Sequence, residues 1–125
     1  MTQENESLIF REEDIAWLAG LLEGEGSFGI DSRAAQRYTN STAPGNPYIS
    51  VSMTDEDVIA KVATITGKNY FLVSQKTVTE KKVFKCHIGD RATVFTILTR
   101  ILPYMGKRRQ SEIQPLLAEI ASWVE

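Results

Sequence analysis

Apolar residues recur along this chain in two rhythms, a three-to-four-residue step and a strict alternation with polar neighbours. Ile15, Leu18, Leu21 and Leu22 follow the first rhythm, which predicts a helix from about Glu12 to Gly24. Glu12, Glu13 and Asp14 suit the positive end of its dipole. Gly24 and Gly26 end it, and Ser27-Phe28-Gly29-Ile30 opens a strand. Tyr48-Ile49-Ser50-Val51-Ser52-Met53 alternates and predicts a second strand. Asp55 and Glu56 then open a helix with Val58, Ile59, Val62 and Ile65 on its apolar side and Gly67 as its stop. Two strands follow, near 70–77 and 82–88, linked at Thr79-Glu80-Lys81. A third helix carries Val94, Phe95, Ile97, Leu98, Ile101 and Leu102 and ends around Pro103 to Gly106. The last bears Ile113, Leu116, Leu117, Ile120, Trp123 and Val124, and Pro115 has to sit in its first turn or kink it. Residues 1–11 read as a loose polar arm, and Arg33 to Pro47 as a hairpin loop or a long strand tip.

The element order is α-β-β-α-β-β-α-α, with two α-β-β units that share no obvious sequence repeat. It predicts an α+β fold in which helices cover one face of a four-stranded antiparallel sheet and leave the other open. The 125 residues, 42% of them hydrophobic, suffice for one core and are too few for two, so residues 1–125 read as a single domain. A lone cysteine, Cys86, excludes a disulfide framework and a Cys-rich zinc site, and fits a reducing compartment. His87 is the only histidine, so no His-based metal cluster or catalytic triad can be assembled. No apolar run reaches the roughly 18 residues that span a bilayer, and MTQENESLIF is acidic where a signal peptide is basic. The expectation is a soluble intracellular protein. Trp17 is expected in the core rather than as a base-stacking platform.

Charge changes the picture through its distribution. The formal net charge is -2. Residues 1–31 hold eight acids (Glu4, Glu6, Glu12, Glu13, Asp14, Glu23, Glu25 and Asp31) against one base, Arg11. Residues 68–109 hold ten bases against Glu80 and Asp90. That separation allows a basic face on a mildly acidic protein, and only the face meets phosphates. Arg33, Arg37, Lys76, Lys82 and Lys85 fall on the strands or loops of the open sheet face, a surface that fits a major groove as a β-ribbon. Gln36, Tyr38 and Asn40 join them as expected base contacts.

The segment Trp17-Leu18-Ala19-Gly20-Leu21-Leu22-Glu23-Gly24-Glu25-Gly26-Ser27-Phe28 carries the chemistry. Ala16, Gly20 and Glu23 or Gly24 fall on one side of the first helix at three- and four-residue steps. Small residues there let a second helix approach closely. If two copies pair along that side, two Glu25 carboxylates come together where the helix ends. Like charges so close resist joint ionisation unless a cation lies between them, and carboxylates with waters and phosphate oxygens suit Mg²⁺.

The nine residues Leu18 to Gly26 resemble the signature of the LAGLIDADG homing endonucleases. They depart from it at Leu22, Glu23, Gly24 and Glu25, where the signature has Ile, Asp, Ala and Asp. Ser27-Phe28, the element order, and the basic patch in Pro103-Tyr104-Met105-Gly106-Lys107-Arg108-Arg109-Gln110 are also similar to that family. The resemblance implies an αββαββα-type fold with an added C-terminal helix, acting as a homodimer joined through its motif helices. It implies double-strand cleavage of a long, nearly palindromic DNA site across the minor groove, leaving 3′ overhangs. Glu25 then binds Mg²⁺, with Mn²⁺ able to substitute. Lys107, three residues before Gln110, acts near the attacking water or the leaving phosphate, with Arg108 or Arg109 in that role if the register differs. Arg108 and Arg109 also read as DNA contacts. Where related enzymes have a polar residue near the end of the second strand, this chain places Val51, with Ser50 or Ser52 as its substitutes in another register. A binding protein of the same fold that does not cut, an RNA maturase or a regulator, is the alternative.

Overall fold

A computed structural model describes residues 9–31, 45–73 and 81–123 of the chain. Helix α1, Glu12–Glu25, runs directly into strand β1, Gly26–Asp31. Strand β2 is Asn46–Met53, helix α2 Glu56–Thr66, strand β3 Tyr70–Leu72 and strand β4 Phe84–Ile88. Helix α3, Arg91–Ile101, leads through a 3-10 turn, Leu102–Tyr104, to helix α4, Lys107–Ser122.

Helix α1 forms where the apolar periodicity places it, and Ile15, Leu18, Ala19 and Leu22 are buried on one side. It extends one residue past Gly24, so Glu25 is its last helical residue. Its first turn is tied down by Glu12, which accepts from Arg100 Nη2 at 2.7 Å and from the Tyr104 hydroxyl. The Tyr104 hydroxyl, followed by Arg100, holds the Glu12 carboxyl below its usual range. Helix α2 stops at Gly67, whose φ of 72° is left-handed backbone that a side chain would strain. Helix α3 is capped by Asp90, which accepts from the Thr93 amide at 3.1 Å.

The four strands pair antiparallel in the order β1-β2-β4-β3. Residues directly opposite one another share a face. Ile49 opposes Ile88 and Val51 opposes Cys86, and all four are buried under the helices. Ser50 opposes His87 and Ser52 opposes Lys85, which therefore turn to the other face. Helices α2 and α3 pack on the central strands and α4 on β1. The expected α+β arrangement, an antiparallel sheet with helices on one side, is the one observed. Ile15, Leu18, Leu22, Ile97, Leu98 and Ile113 join the strand residues in one core, each contributing about 1.5–3 kcal/mol by leaving water.

Of the two places open to Pro115, the first turn is excluded, because Pro115 lies inside α4 and well past it. A proline there deprives the Ser111 carbonyl of its helical donor; both residues are exposed, so water reaches that side of the helix. Strand β3 ends at Leu72, although the Val73 amide still donates to Val83 O at 2.8 Å. The rest of the strand expected over 70–77 lies outside the described residues, as do residues 1–8 of the expected arm. Among the described residues no helix is long and apolar enough to cross a membrane.

Candidate functional site

The site is built where α1 hands over to β1. Gly26 makes the junction possible, because a Cβ on it would come within 2.8 Å of Leu22 O. Its amide donates to that same carbonyl, closing the last turn. Glu25 is thereby left exposed at the helix end. Among the described residues no hydrogen bond or ion pair engages its carboxylate.

Three consecutive bases at the start of α4 do three different things. Lys107, its first residue, is exposed and unpaired among the described residues. Arg108 points outward and pairs with Glu112 at 3.3 Å, a surface contact that leaves it accessible to an anion. Arg109 is only 7% exposed. Its Nε donates to Glu23 O at 2.9 Å, Nη2 to Gly26 O at 2.8 Å and Nη1 to Glu112 Oε1 at 2.9 Å. Its guanidinium also lies 5.2 Å from the centre of the Phe28 ring. The grouping of Arg109 with Arg108 as a DNA contact is therefore corrected: every nitrogen of that guanidinium is spent inside the chain. The apolar spacing of α4 carries the missed signal, since Arg109 stands four residues before Ile113 on its inward side.

Glu23, expected with Gly24 on the helix side facing a second copy, also has a role inside the chain, its Oε1 accepting from the Gly106 amide at 2.8 Å. The end of α1 and the start of α4, where Lys107 stands, are thus laced together by Glu23 and Arg109. Gln110 serves the same corner, its side chain donating to Met105 O at 3.0 Å.

The small-residue side of α1 is open. Ala16, Gly20 and Gly24 are all exposed, and a Cβ on either glycine would meet nothing within 4 Å. Beside them runs an apolar groove lined by Ala16, Trp17, Gly20, Leu21, Met53 and Val58. Trp17 packs partly against the core, with the Lys61 ammonium 4.3 Å from its ring centre, and so is not on the open sheet face.

That face carries Tyr48, Ser50 and Ser52 from β2 with Lys85 and His87 from β4, although Ser50 is buried among its neighbours. Tyr48 and His87 stack, ring centres 5.8 Å apart, and Tyr48 lies across Gly29 on the neighbouring strand. Phe71 of β3 opposes Lys85 and is 52% exposed. Lys82 is exposed just before β4. The strand alternation that made Ile49, Val51, Cys86 and Ile88 core residues also selects Tyr48, Ser50, Ser52 and His87, so the signal for the residues missed was present. Val51 is in the core; Ser50 and Ser52 lie on the opposite face, where Ser52 is exposed and Ser50 only 8% so. Arg33, Gln36, Arg37, Tyr38, Asn40 and Lys76 lie outside the described residues.

Among the described residues no three His, Cys, Asp or Glu side chains gather to hold a metal ion. A single copy offers one carboxylate, that of Glu25, as a hard oxygen ligand. Such a carboxylate is a ligand type compatible with Mg²⁺, which keeps most of its waters and takes few protein ligands. Cys86 plays no part, as it is fully buried and burial pushes its thiol pKa up.

Comparison with known proteins now defines the class of fold. The homing endonuclease I-CvuI, in complex with its target, matches with a TM-score of 0.62 at 16% identity, over 88% of this chain and 67% of that one. The homing endonuclease I-TnaI matches with a TM-score of 0.61 at 12% identity, over 86% and 71%. The group I intron-encoded homing endonuclease I-CeuI, complexed with DNA, gives 0.60 at 15% identity, over 91% and 55%. No protein-family model and no curated protein sequence matches the chain. The chain has the homing-endonuclease fold.

Proposed function

We propose that the chain is a LAGLIDADG-type homing endonuclease that acts as a homodimer on long double-stranded DNA. The observation that carries this reading is the exposed, unpartnered Glu25 carboxylate at the end of a helix whose adjoining side, Ala16, Gly20 and Gly24, is bare. Two such helices meeting along that side bring two Glu25 carboxylates together, and the pair then demands a cation.

Mg²⁺ bound there, or Mn²⁺ in its place, supplies a polarised phosphate, an activated water and charge neutralisation at the leaving 3′ oxygen. The chain's own residues do the rest. Glu25 would hold the metal through its carboxylate. Lys107, exposed beside the α1–β1 junction, places a positive charge near the attacking water or the departing oxygen. Lys82, Lys85 and Arg108 reach phosphates, while Tyr48, His87 and Ser52 face the bases from the open sheet. Arg33, Gln36, Arg37, Tyr38, Asn40 and Lys76 are assigned to the same DNA surface on their sequence positions.

A second reading, binding without cleavage by an RNA maturase or regulator of this fold, is favoured by one feature. Where the family has a polar residue near the end of the second strand, this chain has Val51, which is buried. A cleavage screen against randomised duplexes, with and without Mg²⁺, separates the two. The proposed function expects cutting only with metal, and Glu25→Gln to retain duplex but lose cutting by a factor of about a hundred or more. Retention of a defined duplex without cutting in Mg²⁺ or Mn²⁺ selects the second reading. Metal-independent cutting by the variant refutes the role of Glu25.

A further inference from the structure

We infer that Arg109 is a positioning residue for Glu25, fixing that carboxylate by gripping the backbone on both sides of it. This inference rests on the reading of Glu25 as the metal-binding group.

The end of a helix is ordinarily its loosest part, because its last four carbonyls lack intrahelical donors. Glu25 sits at such an end, exposed, with no side-chain contact of its own to hold it. A carboxylate in that position swings unless its backbone is held from elsewhere. Arg109 does the holding. Its Nε takes Glu23 O and its Nη2 takes Gly26 O, one carbonyl two residues before Glu25 and one immediately after it. The two bonds run from one planar, delocalised group, so they fix an orientation as well as a distance. The guanidinium is held in turn by Glu112 and the Phe28 ring. Its positive charge also complements the negative end of α1.

The same clamp locates Lys107. Arg109 belongs to the first turn of α4, and Gly106, just before that helix, is bonded to the Glu23 carboxylate. Glu25 and Lys107 therefore move as one unit rather than as two exposed side chains on separate helices. A lysine at position 109 keeps the charge but offers a compact ammonium in place of the fork. It can satisfy one of the two carbonyls well and the other poorly.

Two measurements on the intact chain test this, hydrogen exchange and Mn²⁺ binding followed by electron paramagnetic resonance. In Arg109→Lys, amide exchange over residues 24–28 should accelerate by about tenfold, as expected for one lost hydrogen bond to a charged donor, while Ile97 and Leu98 in the core keep their protection. Mn²⁺ affinity should fall by a similar factor, toward that of Glu25→Gln, whose exchange stays as in the wild type. Equal acceleration throughout the chain, or Mn²⁺ affinity unchanged despite local loosening, overturns the inference. Wild-type chain binding Mn²⁺ no better than Glu25→Gln sinks the metal reading instead, and the exchange pattern still decides whether Arg109 is a clamp. Should Arg109→Lys fail to fold, Glu112→Ala, which removes one support of the guanidinium, should loosen the same five residues by a smaller factor; no local change there also refutes the clamp.

Discussion

Asp90 shows how much one polar side chain does in this fold. It caps α3 through the Thr93 amide, accepts from the Thr93 hydroxyl at 2.5 Å and pairs with Lys68. Partial burial pushes its pKa up, but Lys68 and the two Thr93 donors outweigh that and hold it below the ordinary value of 3.8. A depressed carboxylate stabilises the fold fully above its unfolded pKa and loses that contribution as pH falls through the folded one. Asp90→Ala should therefore cost about 1 kcal/mol near neutral pH, read as a lower urea midpoint. The gap between variant and wild type should narrow below the ordinary 3.8 of the free side chain; a gap that widens in acid contradicts the assignment. Residue identity alone did not distinguish Asp90 from Asp55, which also precedes a helix but makes no side-chain cap. The difference lies in where Lys68 and Thr93 end up.

At the scale of elements, α4 is the instructive case. Its apolar positions declare a helix, yet Pro115 stands within its sixteen residues. The helix persists because Ile113 and Ile120 are anchored in the core on its other side, which shows packing overriding local propensity. Pro115→Ala restores the missing donor to Ser111 O and should raise stability by up to about 3 kcal/mol, measured by thermal or urea unfolding. A midpoint that stays put or drops would mean the helix has already adapted around the proline. Strand β3 pairs with β4 over Tyr70–Leu72, and the Val73 amide adds a bond to Val83 O.

For the whole molecule, two surfaces matter, the bare side of α1 and the open face of the sheet. Gly20 has free space around it in the single chain. Gly20→Leu should accordingly leave the single chain folded while abolishing self-association, followed by sedimentation. A variant that still dimerises places the interface elsewhere. On the sheet, Lys85→Ala should weaken duplex binding and lower the salt slope of log K by about one, the signature of one lost phosphate contact. An unchanged slope with altered base preference would instead make Lys85 a base-reading residue.

Much of this architecture is legible in the linear chain because period and alternation are local properties. The helices around Leu18, Ile59 and Leu98, the strand faces of Ile49 and Val51, and the special place of Glu25 after a glycine-bearing helix all follow from neighbours a few residues apart. The strand order β1-β2-β4-β3 does not, since it depends on which distant segments bury one another's apolar faces. Nor do the roles of three adjacent bases, Lys107, Arg108 and Arg109, which look alike in sequence and diverge because a helix turns each by a hundred degrees or so. Only one of them meets the carbonyls of Glu23 and Gly26, and that contact joins residues eighty-six and eighty-three positions apart. Local rules place a carboxylate at the end of a helix; long-range packing determines what holds it still.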